Sequence, residues 1–188
     1  MTEVDFVPYK KELHQDQMTQ MFYEYGKWHD KHVYDRYNVH YFPDGNVESG
    51  IDRYIQRFNG LTPPVDILLL LLVGSKPLGM GWISRQEADL CEVDCLFIYP
   101  EYRGLGYGKE TLRRLEDKAR EFGYTRARLE FNLFNEVAAH IFRKAGYKET
   151  SPYYDITQIE NENMRKYFKD KTYMEKILLK ESQVLSKQ

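Results

Sequence analysis

Apolar positions recur along this chain with two different periods, and the switches between them mark its elements. Val4 to Tyr9 alternates weakly, as a short strand does. Leu13, Met18, Met21, Phe22, Tyr25 and Trp28 then follow helical spacing and predict an amphipathic helix from Glu12 to about Asp30. Tyr34 to Gly50 has no such period, contains Pro43-Asp44-Gly45 and reads as a loop. Ile51, Tyr54, Ile55 and Phe58 predict a second, shorter helix, ended by Asn59-Gly60 and broken by Pro63-Pro64. Val65 to Val73 is a nearly unbroken aliphatic run, the pattern of a central strand buried on both faces. Gly74-Ser75-Lys76-Pro77 turns it into a hairpin with Leu78 to Ser84.

Glu92 to Ile98, rich in β-branched and aromatic residues, is the next strand, stopped by Pro100. A helix from Gly108 to Phe122 follows, with a stripe of Leu112, Leu115, Ala119 and Phe122. Arg126 to Phe131 alternates as a strand. Glu136 to Ala145 is helical, with Val137, Ala138, Ile141, Phe142 and Ala145 on one side, and Gly146 is its left-handed stop. Tyr147 to Tyr154 and Thr172 to Leu179 read as the last strands. Asp155 to Lys171 is polar and unassigned, and Lys180 to Gln188 reads as a frayed tail. No repeat or linker divides the chain, so residues 1–188 form a single domain of α/β (α+β) class. Its sheet is mixed and mostly antiparallel, with helices on both faces.

Composition removes several classes. A net charge of -2 with 30% charged residues gives no nucleic-acid footprint. The longest apolar run, Ile67 to Val73, is too short to span a bilayer, and Met1-Thr-Glu-Val-Asp lacks the basic and apolar regions of a signal peptide. A cytoplasmic protein without membrane partners is expected. Cys91 and Cys95 sit roughly 13 Å apart on one strand at ~3.3 Å per residue, too far for a disulfide, and no ligand set for a metal surrounds them. His29, His32 and His40 match no metal spacing and read as surface or pocket-rim residues. Sixteen tyrosines, many before residue 60, suit either an aromatic-lined pocket or a tyrosine-rich core.

The chemistry is concentrated where the Glu92 strand runs into Arg103-Gly-Leu-Gly-Tyr-Gly-Lys109 and straight on into a helix. A glycine-rich helix start leaves backbone N–H groups unpaired at the positive end of the helix dipole, which favours a phosphate. A Walker A loop does not fit, because Arg103 stands where its first glycine belongs and Glu110 where its hydroxyl belongs. The dinucleotide spacing fails as well, since the glycines are 104, 106 and 108.

Arg103-x-x-Gly106-x-Gly108, after a strand and opening a helix, resembles the acetyl-CoA pyrophosphate loop of the GNAT superfamily of N-acetyltransferases. A second segment about thirty residues on, with Asn135, Ala138, Phe142, Gly146 and Tyr147, is similar to another pattern of that superfamily. The resemblance covers about residues 65–154. It implies a splay between the fourth and fifth strands, Glu92–Ile98 and Arg126–Phe131, that receives acetyl-CoA as co-substrate without a metal. The pantetheine arm is then expected along the main chain of Phe97 and Ile98, and the pyrophosphate on Arg103, Gly104, Leu105, Gly106, Tyr107, Gly108 and Lys109. Asn135 would cap its helix and touch the co-substrate. Phe142 would pack near the sulfur, at a position where many of these enzymes have a tyrosine that protonates the leaving thiolate. Its lack of a hydroxyl leaves that step to another tyrosine or to water, or to no acid at all.

An alkyl ammonium of pKa ~10 needs a proton acceptor before it can attack a thioester. Glu92, eleven residues before Arg103, matches the glutamate base of the histone-acetylating branch, and by strand parity it shares a face with Asp94, Leu96 and Ile98. Asp94 is the reserve. The implied reaction is direct acetyl transfer to a primary amine in a ternary complex, with a backbone N–H near Ile98 facing the oxyanion. The acceptor is a small-molecule or peptide amine left unspecified, and a homodimer is compatible with the sequence. A non-catalytic acyl-CoA-binding domain of the same fold is the alternative.

Overall fold

The computed structural model describes residues 4–42 and 45–178. Thus the predicted turn at Pro43-Asp44, the end of the last strand at residue 179 and the tail at 180–188 lie outside the described residues. In chain order the elements are β1 (Asp5–Pro8), α1 (Lys11–Tyr37), α2 (Val47–Asn59), β2 (Ile67–Val73), β3 (Lys76–Arg85) and β4 (Leu90–Ile98). Then come α3 (Tyr107–Glu121), β5 (Arg126–Asn132), α4 (Glu136–Lys144), β6 (Lys148–Thr150), α5 (Glu162–Lys169) and β7 (Lys171–Ile177). The seven strands form one sheet in the order β1-β2-β3-β4-β5-β7-β6. All pairs are antiparallel except β4 with β5.

Each face of the sheet carries its own core. On one, Ile83, Val93, Leu129 and Met174 pack against Leu112, Leu115 and Ala119 of α3 and Phe142 of α4. On the other, Leu68, Leu70, Met80, Trp82 and Phe97 pack against Met18, Met21 and Phe22 of α1 and Phe58 of α2. Strand β2 is buried on both faces, which is why its sequence runs aliphatic without alternation.

Helix α1 does not stop at Asp30. Val33 and Tyr37 continue its buried stripe onto Tyr167 of α5, so the packing carries the helix to Tyr37, where Asn38 closes it in the left-handed conformation (φ 52°). The stretch expected as loop between Tyr34 and Gly50 is therefore helix at both ends, α2 starting at Val47 with Asn46 capping Ser49 N–H. Strand β6 is three residues long rather than eight. Beyond it the Tyr153 hydroxyl donates to backbone oxygens of Leu129 and Met174, taking the chain away from the sheet edge. The unassigned polar segment contains α5, capped by Asn161. On α4 the buried residues are Ala139 and Phe142, and Val137, expected inside, is 71% exposed.

The central irregularity is in β4. Cys95 has φ 51°, and the β3–β4 register shifts between Met80 and Trp82, so Cys95 and Leu96 together face Gly81. Such a bulge bends its strand. Pairing of β4 with β5 runs only from Leu90–Arg126 to Glu92–Arg128, while β5 stays with β7 as far as Asn132–Lys171. Bent β4 and straight β5 diverge, and a wedge opens between them with Glu92 and Arg128 at its apex.

Candidate active site

The bulge also decides which side chains share a face. Cys95 joins the α1/α2 core while Leu96 packs on the α3/α4 core. The expected common face of Glu92, Asp94, Leu96 and Ile98 is thus broken, because one extra residue reverses the alternation. Tyr99 N–H donates to Leu78 O on the β3 side. Its neighbour Ile98 therefore turns its own N–H and C=O toward the wedge. There Ile98 O accepts a bond from Arg103 Nε at 2.9 Å.

The wedge mouth is closed by the loop expected to hold phosphate. Gly104 (φ 78°) and Gly106 (φ 86°) adopt conformations that side chains disfavour. Gly108 has no such need, and a Cβ there would meet nothing closer than Ile141 Cδ1 at 3.5 Å. The fold alone does not require glycine at 108, whereas a ligand lying against the helix start would. Gly106 provides no side-chain cap, so the N–H groups of Tyr107, Gly108 and Lys109 have no helical acceptor. Arg103, Leu105 and Lys109 are exposed around them. Arg103 also lies 5.8 Å from the Trp28 ring and 5.9 Å from the Phe97 ring, at the edge of a cavity of about 440 Å³ beside α1. Asn135 caps α4 by accepting from Ala138 N–H, as expected. Phe142 is buried between Phe131 and Tyr147.

At the apex, Glu92 is 8% exposed and is bound by Arg128 Nε at 2.8 Å. Burial raises its carboxyl above the ordinary range, and the hydrogen bond from Arg128 opposes that without cancelling it. Glu92 opens into a cleft on the α1/α2 face with two lobes. The outer, of about 540 Å³, and the inner, of about 90 Å³, share Tyr41, Tyr54, Asp94, Glu130 and Lys171 in their walls.

Much of this lining was not anticipated. The inner lobe holds His29, which is not at a surface or rim but 7% exposed, its imidazole 3.0 Å from Tyr167 Oη and 3.3 Å from Asn132 Nδ2. Burial lowers its pKa to about 3, so it is neutral. Lys171 is buried against Glu130 and the rings of Tyr167 and Phe168. Burial favours its neutral form, but the surrounding groups, Tyr167 and Glu130 foremost, raise its pKa and hold it charged. Tyr25, Tyr41 and Tyr54 have pKa values raised by burial and stay protonated. The trace of this lining in the sequence was the alternation Arg126, Arg128, Glu130, Asn132 on β5, a polar face that normally means solvent.

The family model described as "Acetyltransferase (GNAT) family" matches residues 11–147, which include the wedge, the glycine loop and the Asn135 helix. The chain belongs to the GNAT acetyltransferase family. Among curated relatives of this family, the uncharacterized N-acetyltransferase YycN of Bacillus subtilis is 29% identical over 99 residues, 48% of this chain and 61% of that protein. The chain thus spans less than two thirds of that relative's length. An acetyltransferase from Streptococcus agalactiae superposes with a TM-score of 0.69 at 15% identity, covering 94% of this chain and 99% of that one. The PaiA N-acetyltransferase of Thermoplasma acidophilum, solved in complex with coenzyme A, gives 0.67 at 18%, covering 93% and 99%. At these identities the likeness to solved structures is one of fold. Among the described residues no helix is long and apolar enough to cross a membrane.

Proposed function

We propose that this GNAT chain transfers an acetyl group from acetyl-CoA to a primary amine of a small molecule or peptide, within a ternary complex. The observation that carries this is the succession of three features along β4 and the loop after it. They are Glu92 at the wedge apex, opening on the cleft, the Ile98 main chain turned toward the wedge, and the uncapped start of α3. Family membership and the CoA complex of the Thermoplasma relative support acetyl-CoA as the co-substrate.

Bound acetyl-CoA supplies the activated acetyl thioester. In this reading the N–H groups of Tyr107, Gly108 and Lys109 hold the pyrophosphate with help from Arg103, Gly104, Leu105 and Gly106. Arg103 releases Ile98 O, and the main chain of Phe97 and Ile98 lines the pantetheine as an added strand edge would. The Ile98 N–H faces the charge that develops on the carbonyl oxygen. Asn135 and Phe142 approach the co-substrate from the α4 side. Glu92, whose pKa is raised, takes the amine proton through water, with Arg128 fixing its rotamer. Phe142 has no proton to give. Tyr25 lies 5.6 Å from the Phe97 ring, lines the inner lobe beside Asp94 and Cys95, and is kept protonated by burial. It is the hydroxyl assigned to the leaving thiolate.

The test is release of CoA thiol from acetyl-CoA with a panel of primary amines, for wild type and Glu92→Gln. A base role predicts a rate loss of about 10²–10⁴ with acetyl-CoA affinity nearly unchanged. Normal turnover at neutral pH in Glu92→Gln removes Glu92 from the base role and moves the question to Asp94. A protein that binds acetyl-CoA but releases no thiol with any amine is the non-catalytic acyl-CoA binder that Phe142 would allow.

A further inference from the structure

The cleft beyond the wedge is polarised. Its inner end, beside Lys171 and a ring of tyrosines, holds buried acceptors that no protein donor satisfies. Lys171 occupies Glu130 Oε1, while Glu130 Oε2 is buried with no partner. Asn132 Nδ2 lies against the neutral His29 imidazole, and Asn132 Oδ1 is likewise buried and unpartnered. Asp94, half-buried, accepts the Cys95 N–H at 2.6 Å and lines both lobes. Buried acceptors are seldom left unpaired, so Glu130 Oε2 and Asn132 Oδ1, with the Asp94 carboxylate beside them, fit a ligand that brings several N–H donors. The tyrosine rings of Tyr41 and Tyr54 around them are faces that a cation can lie on.

The outer lobe shares Asp94 and Glu130 and adds donors at its α2 side. Arg57, on α2, makes no ion pair or hydrogen bond with a described residue, and its guanidinium lies 4.3 Å over the Trp82 ring. Trp82, 1% exposed, lines the same lobe, and its Nε1 is a buried donor without an acceptor. Trp82 is the register partner of Asp94, so the donor end and the acceptor end stand side by side on neighbouring strands.

We infer that the acceptor is an amino carboxylate. Its primary ammonium lies among Asp94, Glu130 Oε2 and Asn132 Oδ1, and its carboxylate lies on Arg57. A polyamine is the wrong ligand for this cleft, since its second cation would meet Arg57. This rests on the acetyl-transfer reading for its chemistry, though not for its binding.

The experiment compares ω-amino acids from glycine to 6-aminohexanoate with n-alkylamines of equal length, and with spermidine. Acetyl transfer is followed as CoA thiol release, and binding to the CoA-saturated protein is measured separately by calorimetry. An ion pair at a cleft rim predicts kcat/KM about tenfold higher for the best amino carboxylate than for its alkylamine, with that ratio falling toward one in Arg57→Gln. Spermidine or alkylamines preferred over amino carboxylates, or a ratio unchanged in Arg57→Gln, overturns the proposal. So does calorimetry in which no amino carboxylate binds. Binding that is retained and depends on Arg57, with no transfer to any amine, counts against the acetyltransferase reading and leaves this one standing.

Discussion

Single side chains here owe their roles to burial more than to identity. Phenylalanine at 142 has no proton to donate, and the proposed mechanism gives that role to Tyr25, beside Phe97 on the inner lobe. Tyr25→Phe should therefore lower kcat by about 10–10² with little change in the acetyl-CoA KM, and adding Phe142→Tyr should recover part of the loss. An unchanged kcat in Tyr25→Phe would leave the thiolate to water. His29 gives a pH prediction. Its folded pKa of about 3 lies below its ordinary 6.5, so the unfolded chain takes up the proton first. The stability linked to it is fully present above about pH 6.5 and is lost as pH falls toward 3, on the order of a few kcal/mol in all. Denaturant titrations at pH 7 and pH 5 should show this slope in wild type and a shallower one in His29→Gln. Equal slopes would mean that the imidazole does not stay neutral. None of this could be read from the sequence, where His29 is one histidine among several near a helix end.

Elements were legible wherever one periodicity ruled, and illegible where packing overrode it. The aliphatic run of β2 and the stripe of α3 announced themselves, and the strand–glycine–helix junction pointed to its ligand class. The extension of α1 to Tyr37 depends on α5, a partner more than a hundred residues away, and α5 itself was hidden in a polar segment. The bulge at Cys95 left no mark, since nothing in Asp94-Cys95-Leu96 asks for a positive φ, yet it opens the wedge and reassigns the faces of β4. At the α3 junction, Gly106→Val puts a β-branched side chain at φ 86°, where it is disfavoured. The loop is exposed, so the core should survive while the amides lose their common direction. Calorimetry should show acetyl-CoA binding weakened beyond detection with an unchanged circular dichroism spectrum. A folded variant that binds normally would remove the loop as the pyrophosphate site.

Across the whole molecule, the sheet order sets β7 between β5 and β6 although β6 precedes it in the chain. The β5–β7 ladder has seven residue pairs, from Arg126–Ile177 to Asn132–Lys171, whereas β5 touches β4 through three. A fragment ending at Asp170 should therefore not form a stable sheet. It should elute as aggregate in size-exclusion chromatography and lack a cooperative thermal transition, and a monomeric fragment that melts cooperatively would show that β1–β5 suffice. The same insertion bears on the birth of the protein. During synthesis, β5 and β6 emerge with open edges that nothing can satisfy until the residues of β7 have left the ribosome. The strand that carries the cleft's Glu130 and Asn132 is thus among the last to gain its neighbour. Until then the half-made chain presents a sticky β-edge, and its protection falls to chaperones or to speed of translation.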